Sequence, residues 1–195
     1  MKKSINGYRN SSIAFQIIAS IIAFLLYRLS SVFLEKSYAS SKFPVSYFEA
    51  QTSFDALKLK SWYQFLIDND TFRIYINTQF IDFIFIFTVI LMGFSIWTLL
   101  ANLHKKDSFF NKKGYIMAFS LPFAAFFDVL ENLISFYMLS EPKEFINEIV
   151  YIYSSFATIK FGFWGIALLW LLVSIVALIF NRLRQLVTPI DAHKV

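Results

Sequence analysis

Long apolar runs, interrupted by isolated polar positions, set the pattern of this chain. Four stretches reach the roughly 20 mostly apolar residues that a bilayer-spanning helix needs: about 13–34, 79–100, 115–139 and 150–180. The last is long enough to tilt or to extend past the bilayer. Barrel strands need only about 10 alternating residues and do not fit runs of this length. The pattern predicts an all-α integral membrane protein, a four-helix bundle forming a single membrane domain over 1–195. The first stretch follows Lys2, Lys3 and Arg9 and precedes Ser37-Tyr38-Ala39, as a cleaved leader would. Arg28, Glu35 and Lys36 interrupt the approach to that site, so the stretch is expected to remain as a span.

Residues 35–77 form the one sizeable region between the runs. A structureless loop of that length is unusual in a compact domain. Phe54, Leu57, Trp62, Tyr63 and Phe65 stand at roughly helical spacing. Ser53 or Asp55 predicts the start of a helix near 54–67, and Asp70 or Thr71 the start of a second that runs into the next span. The region is expected to be a partly helical extracytoplasmic cap, with a flexible loop as the alternative.

Charge changes the picture by adding an orientation. Lys2, Lys3, Arg9, Lys105, Lys106, Lys112, Lys113, Arg182, Arg184 and Lys194 fall in 1–12, 101–113 and 181–195. Only Asp107 and Asp191 accompany them there, whereas acids crowd 35–77 and 140–148. Lysine and arginine mark the cytoplasmic side. Both termini are therefore predicted cytoplasmic, in a membrane of the bacterial inner type. The same residues explain the net charge of +5 as topology, so no nucleic-acid partner is expected. The lysine pairs around Asp107–Asn111 read as neighbours of anionic head groups, docking of a cytoplasmic partner being the alternative.

Composition narrows the chemistry. Of 195 residues, 57% are hydrophobic and 16% charged, outside the range of soluble domains. The absence of cysteine excludes thiolate catalysis, cysteine-based zinc sites and disulfides. His104 and His193 lie at or beyond the ends of apolar runs, which excludes a histidine-rich metal or haem site within the membrane. There is no glycine-rich phosphate loop, no Gly-x-Ser-x-Gly elbow and no His-Glu-x-x-His pair. Ser120 and Ser135 have no histidine base. Trp97, Trp164 and Trp170 read as packing or interface anchors, and Gly162 with Gly165 as a close-packing signal.

Five formal charges fall inside the runs: Arg28, Asp82, Asp128, Glu131 and Lys160. Each costs about 2.5 to 3.5 kcal/mol at a helix centre, so each needs a partner or a purpose. With the orientation above, all five come to a similar depth beneath the cap. Asp128, Glu131, Asn132 and Ser135 form one stripe, continued by Ala124 and Ala125; Tyr75, Thr78, Gln79 and Asp82 make the same spacing on the second span. Two bases and three acids leave one negative charge, which a single bound proton would neutralise. Pro122 frees the carbonyl of Ala118 and is expected to bend the third helix toward the cluster.

The segments LPFAAFFDVLENLISFYML and SSFATIKFGFWGIALL carry a resemblance. Leu-Pro, then Asp-x-x-Glu-Asn in the third helix, an early lysine in the fourth and an aspartate after a tyrosine-bearing segment in the second are similar to a family of small uncharacterised bacterial four-helix membrane proteins. The likeness covers about 60–175 and rests on Asp128, Glu131, Asn132 and Lys160. It implies that these positions belong together and implies no activity.

The candidate polar site is thus Asp82, Asp128, Glu131, Asn132 and Lys160, with Arg28 and Tyr75. A pocket for a lipid or small amphiphile is the leading expectation, the bilayer being the other partner. The rival is a structural or interaction protein whose charges only fix helix packing. An acid–base enzyme acting on a lipid or isoprenoid stays open. Proton-coupled transport would need an oligomer, since the chain shows no internal repeat. The acids suit Mg²⁺, Ca²⁺ or Mn²⁺, but Lys160 and Arg28 compete for the same oxygens, so neither a metal nor a cofactor is expected.

Overall fold

A computed structural model of the chain describes residues 7–187; Lys2, Lys3, His193 and Lys194 lie outside the described residues. No strand occurs among the described residues. The helices are α1 (Ile13–Ser41), α2 (Tyr47–Gln51), α3 (Ala56–Asp68), α4 (Phe72–Leu103), α5 (Phe109–Met117), α6 (Ser120–Ser140) and α7 (Ile149–Val187). Among the described residues, four segments are long and apolar enough to cross a membrane: Ile13–Ser41, Phe72–Leu103, Phe109–Ser140 and Ile149–Leu186.

The helices outrun the apolar stretches that announce them, because an apolar run measures the bilayer while helix propagation continues until something stops it. α1 continues beyond Leu34 to Ser41 and stops where Lys42 turns left-handed, with φ of 56°. An interruption at Ala118–Phe119 divides the third span into α5 and α6. It falls one turn before Pro122, which has no N–H to offer the Ala118 carbonyl.

α4 is the centre of the bundle, packing against α1 on one side and α6 on the other, while α7 packs chiefly on α6. Hydroxyl pairs tie α1 to α4: Ser30 with Thr88 at 2.7 Å, and Ser37 with Thr78 at 2.6 Å. Such interhelical bonds act where no hydrophobic force drives helices together. α4 meets α6 at Gly93, where an added Cβ would lie 2.5 Å from Leu121 Cβ. Gly162 and Gly165 do not serve close packing: an added Cβ at either would meet nothing within 4 Å. Both face outward on α7 and leave bare helix surface there.

The cap is ordered rather than a loose loop. Asp55 starts α3 by accepting from the Leu57 and Lys58 amides at 3.0 and 3.1 Å. Before α4, Thr71 takes the capping position without a side-chain capping bond, its hydroxyl donating back to the Leu66 carbonyl at 3.5 Å, and Asp70 is left-handed at φ of 57°. The buried face of α3 is Leu59, Tyr63 and Leu66; of the residues spaced in the sequence, Tyr63 is buried and Trp62 half-buried, while Phe54, Leu57 and Phe65 are exposed. The buried set joins Phe43, Tyr75, Phe145 and Tyr153 in an aromatic layer over the bundle. Phe145, from the α6–α7 turn, puts that turn at the cap end. At the opposite end the Arg9 guanidinium lies 3.7 Å from the Tyr115 ring centroid, and Tyr115 hydrogen-bonds Asn102.

Candidate functional site

Helix α6 presents Ala124, Ala125, Asp128, Glu131, Asn132 and Ser135 on its buried side. α4 turns Tyr75, Thr78, Gln79 and Asp82 inward, and α7 contributes Lys160, 4% exposed. Asp82, Asp128 and Lys160 sit ten to twelve residues from the cap ends of their helices. At 1.5 Å per residue that is a common depth of about 15 to 18 Å.

Two linked hydrogen-bonded groups result. The Lys160 ammonium donates to Asp128 Oδ1 at 2.8 Å, to Gln51 Oε1 at 3.0 Å and to a Glu131 carboxylate oxygen. An ammonium has three protons, so its donors are fully used. Asn132 Nδ2 donates to Asp82 Oδ2 at 2.6 Å. Behind these contacts, Glu131 stands beside the Tyr153 hydroxyl and Ser135 beside the Tyr63 hydroxyl, while Asn132 Oδ1 has no hydrogen-bond partner among the described residues. Buried polar groups are normally paired, so the cluster holds acceptor capacity in reserve.

Part of the cluster opens onto a pocket of about 350 Å³. Asp82, Asp128, Lys160 and Gln51 make its polar floor, and Ser31 and Glu35 its polar edge. Leu34, Phe85, Phe161 and Trp164, with the rings of Tyr27 and Tyr47, make apolar and aromatic walls. α1 and α7 flank it without packing closely on one another, apart from Tyr27 and Trp164, whose ring centroids lie 6.4 Å apart. Glu35 at the edge is exposed and accepts from Ser31 Oγ at 2.7 Å. Tyr47 roofs the pocket and stacks on Tyr38 at 3.7 Å. Burial, and then the Asp82 carboxylate, push the Tyr47 phenol far above its ordinary value, so it remains a neutral hydroxyl. That hydroxyl has no partner among the described residues.

The structure brings Asp82, Asp128, Glu131, Asn132 and Lys160 together. Glu131 stands behind Lys160, fully buried and outside the pocket lining. Tyr75 is buried one layer nearer the cap, 4.7 Å from the Phe43 ring, and does not line the pocket. Arg28 does not join the site: it is exposed on α1, next to the pocket-lining Tyr27, and forms no ion pair among the described residues. Its long stem lets the guanidinium travel along the surface rather than inward. No group of three or more His, Asp or Glu side chains placed to hold a metal ion occurs among the described residues.

Several participants lie outside the residues singled out from the sequence. Trp164 reads as a packing or interface anchor, and Glu35 as the first residue of the cap. Gln51 carries no signal of its own, although Ser46 followed by Glu49 has the spacing of a helix start. The Ser46 hydroxyl does accept from the Glu49 amide, at 3.2 Å, and so begins the short α2 that carries Tyr47 and Gln51 into the site. Comparison with protein-family models, with curated proteins and with solved structures finds no match to this chain.

Proposed function

We propose that this membrane protein binds a lipid or small amphiphile in the pocket between α1 and α7. The observation that carries the reading is the pocket's division into a charged floor and aromatic walls within the spanning region. Ligand sites are concave and mainly apolar with a few placed polar groups. Ionisable groups inside a membrane usually mark such a site. The proposed setting is a bacterial inner membrane, with both termini cytoplasmic and the cap on the outer face, where the cap would cover the pocket from the aqueous side. Membership of the small four-helix family it resembles belongs to the same proposal.

Native mass spectrometry of the protein in a mild detergent, with lipid extraction of the same sample, tests this. One adduct per chain is expected, retained when annular lipid is stripped and lost in Trp164→Ala. Bare protein throughout would overturn the reading. A second reading, a purely structural lock, is favoured by one observation: Lys160 already spends all its donors within the protein. Under that reading Trp164→Ala leaves any adduct unchanged, while substitutions at Lys160 unfold the bundle.

A further inference from the structure

We infer that the pocket selects an ammonium head group, so that its ligand is an alkyl-tethered amine. This rests on the amphiphile-pocket reading above and deepens it. Charge comes first. Glu35, Asp82 and Asp128 line the pocket against Lys160 alone. Glu131, bound to the same lysine, adds a further carboxylate behind it. The base that would have reduced the imbalance, Arg28, is exposed outside the lining.

Donor supply points the same way. An anionic head group needs N–H or O–H donors, best a charged one, and the lysine has none left after Gln51, Asp128 and Glu131; the Tyr47 hydroxyl and the Gln51 amide offer only neutral donors there. Asp82 presents the opposite chemistry. It is 6% exposed, and it accepts one hydrogen bond, from Asn132 to Oδ2. Its Oδ1 has no hydrogen-bond partner among the described residues. An unpartnered oxygen on a buried, pocket-lining carboxylate calls for a donor, and a charged donor binds more strongly than a neutral one. The wall agrees. Phe85, Phe161, Trp164 and Tyr47 line the pocket beside this acidic floor, and aromatic rings attract ammonium ions, as the Lys160 Nζ 5.0 Å from the Phe161 ring centroid already shows. The gap between α1 and α7 leaves room for a tail to pass into the bilayer.

The test is a scintillation proximity assay on the full chain in maltoside micelles, with radiolabelled decylammonium as probe. Saturable binding near one per chain is expected. Unlabelled decylammonium or a short-chain phosphatidylethanolamine should displace it, and whichever acts at lower concentration indicates whether a simple amine or a lipid head group is the source. Decanol and decanoate, matched in tail, should need at least tenfold more. Asp82→Asn, which keeps the Asn132 contact, should weaken binding at least tenfold with its thermal midpoint retained. If that variant does not fold, the head-group series on the wild type still decides. Decanol or decanoate displacing as well as the amine would overturn the ammonium inference and leave the amphiphile pocket standing. Tailless tetramethylammonium displacing as well as decylammonium would overturn the amphiphile reading instead. Saturable binding of none of these probes would overturn the ammonium inference, and an adduct persisting by native mass spectrometry would show the pocket reading surviving it.

Discussion

Lys160 and Gln51 are 109 residues apart in sequence and joined by a 3.0 Å hydrogen bond. That bond connects the cap to the charged layer of the bundle. Together with the Phe54 amide donating to Ser154 Oγ at 3.2 Å, it fastens the 42–71 segment onto α7. The roof of the pocket and its floor are therefore held by the same lysine.

The lysine is expected to matter more to stability than either acid it binds. Removing one partner from a buried ion pair costs about 3–5 kcal/mol, because the other charge is stranded. Lys160→Met strands Asp128 and Glu131 together. Glu131→Gln leaves the ammonium with Gln51 and Asp128. Thermal unfolding in detergent should show a much larger drop for Lys160→Met, and equal small drops would contradict a lysine-centred cluster.

Two glycines on spanning helices should respond in opposite ways. Gly93→Ala drives a methyl against Leu121 at the α4–α6 contact, and overpacking of this kind costs about 1–3 kcal/mol. Gly162→Ala fills open space and should be neutral or mildly stabilising, since alanine favours helix over glycine by up to about 1 kcal/mol. Thermal midpoints of the two variants, compared side by side, check this. A destabilised Gly162→Ala would mean that α7 has a partner in the membrane.

Acid should weaken the end of the bundle opposite the cap. His104 is buried, shares a hydrogen bond with Ser174 Oγ at 2.7 Å and stacks on Phe110. Burial lowers its pKa from 6.5, against the weaker opposing effect of the Ser174 contact. The unfolded chain binds a proton below 6.5 while the folded chain does not yet, so this contribution falls as pH drops through that value. Thermal midpoints from about pH 7.5 to about pH 5.5 should fall more steeply in the wild type than in His104→Asn. Parallel slopes would contradict the assignment.

Helical periodicity was enough to find the spans and the inward faces of α4 and α6, because a repeat of 3.6 residues is written directly in the order of side chains. Asp128, Glu131, Asn132 and Ser135 could be placed on one face for that reason, and Lys160 at their depth by counting residues. Arg28 could not be placed the same way. Depth alone did not say which side of α1 it occupies, and its neighbours Tyr27 and Ser31 face the pocket while it does not. Gln51 and Tyr47 were out of reach for another reason. They sit on a helix of five residues, whose position is set by aromatic packing with Tyr38 and by Lys160, both distant in sequence. In α3 the exposed Leu57 and Phe65 blurred the apolar stripe that periodicity would otherwise have shown.

The order of the helices gives assembly a direction. Asp82 arrives with α4, Asp128 and Glu131 with α6, and Lys160 with α7, after all three acids. Until α7 is inserted, the nascent chain holds carboxylates in the membrane with no buried amine to meet them. Insertion of α7 is thus the step that brings the acids their lysine, holds Gln51 and seats the cap. A chain stopped before residue 160 would expose its own incompleteness, as unpaired charge, to the machinery that disposes of unfinished membrane proteins.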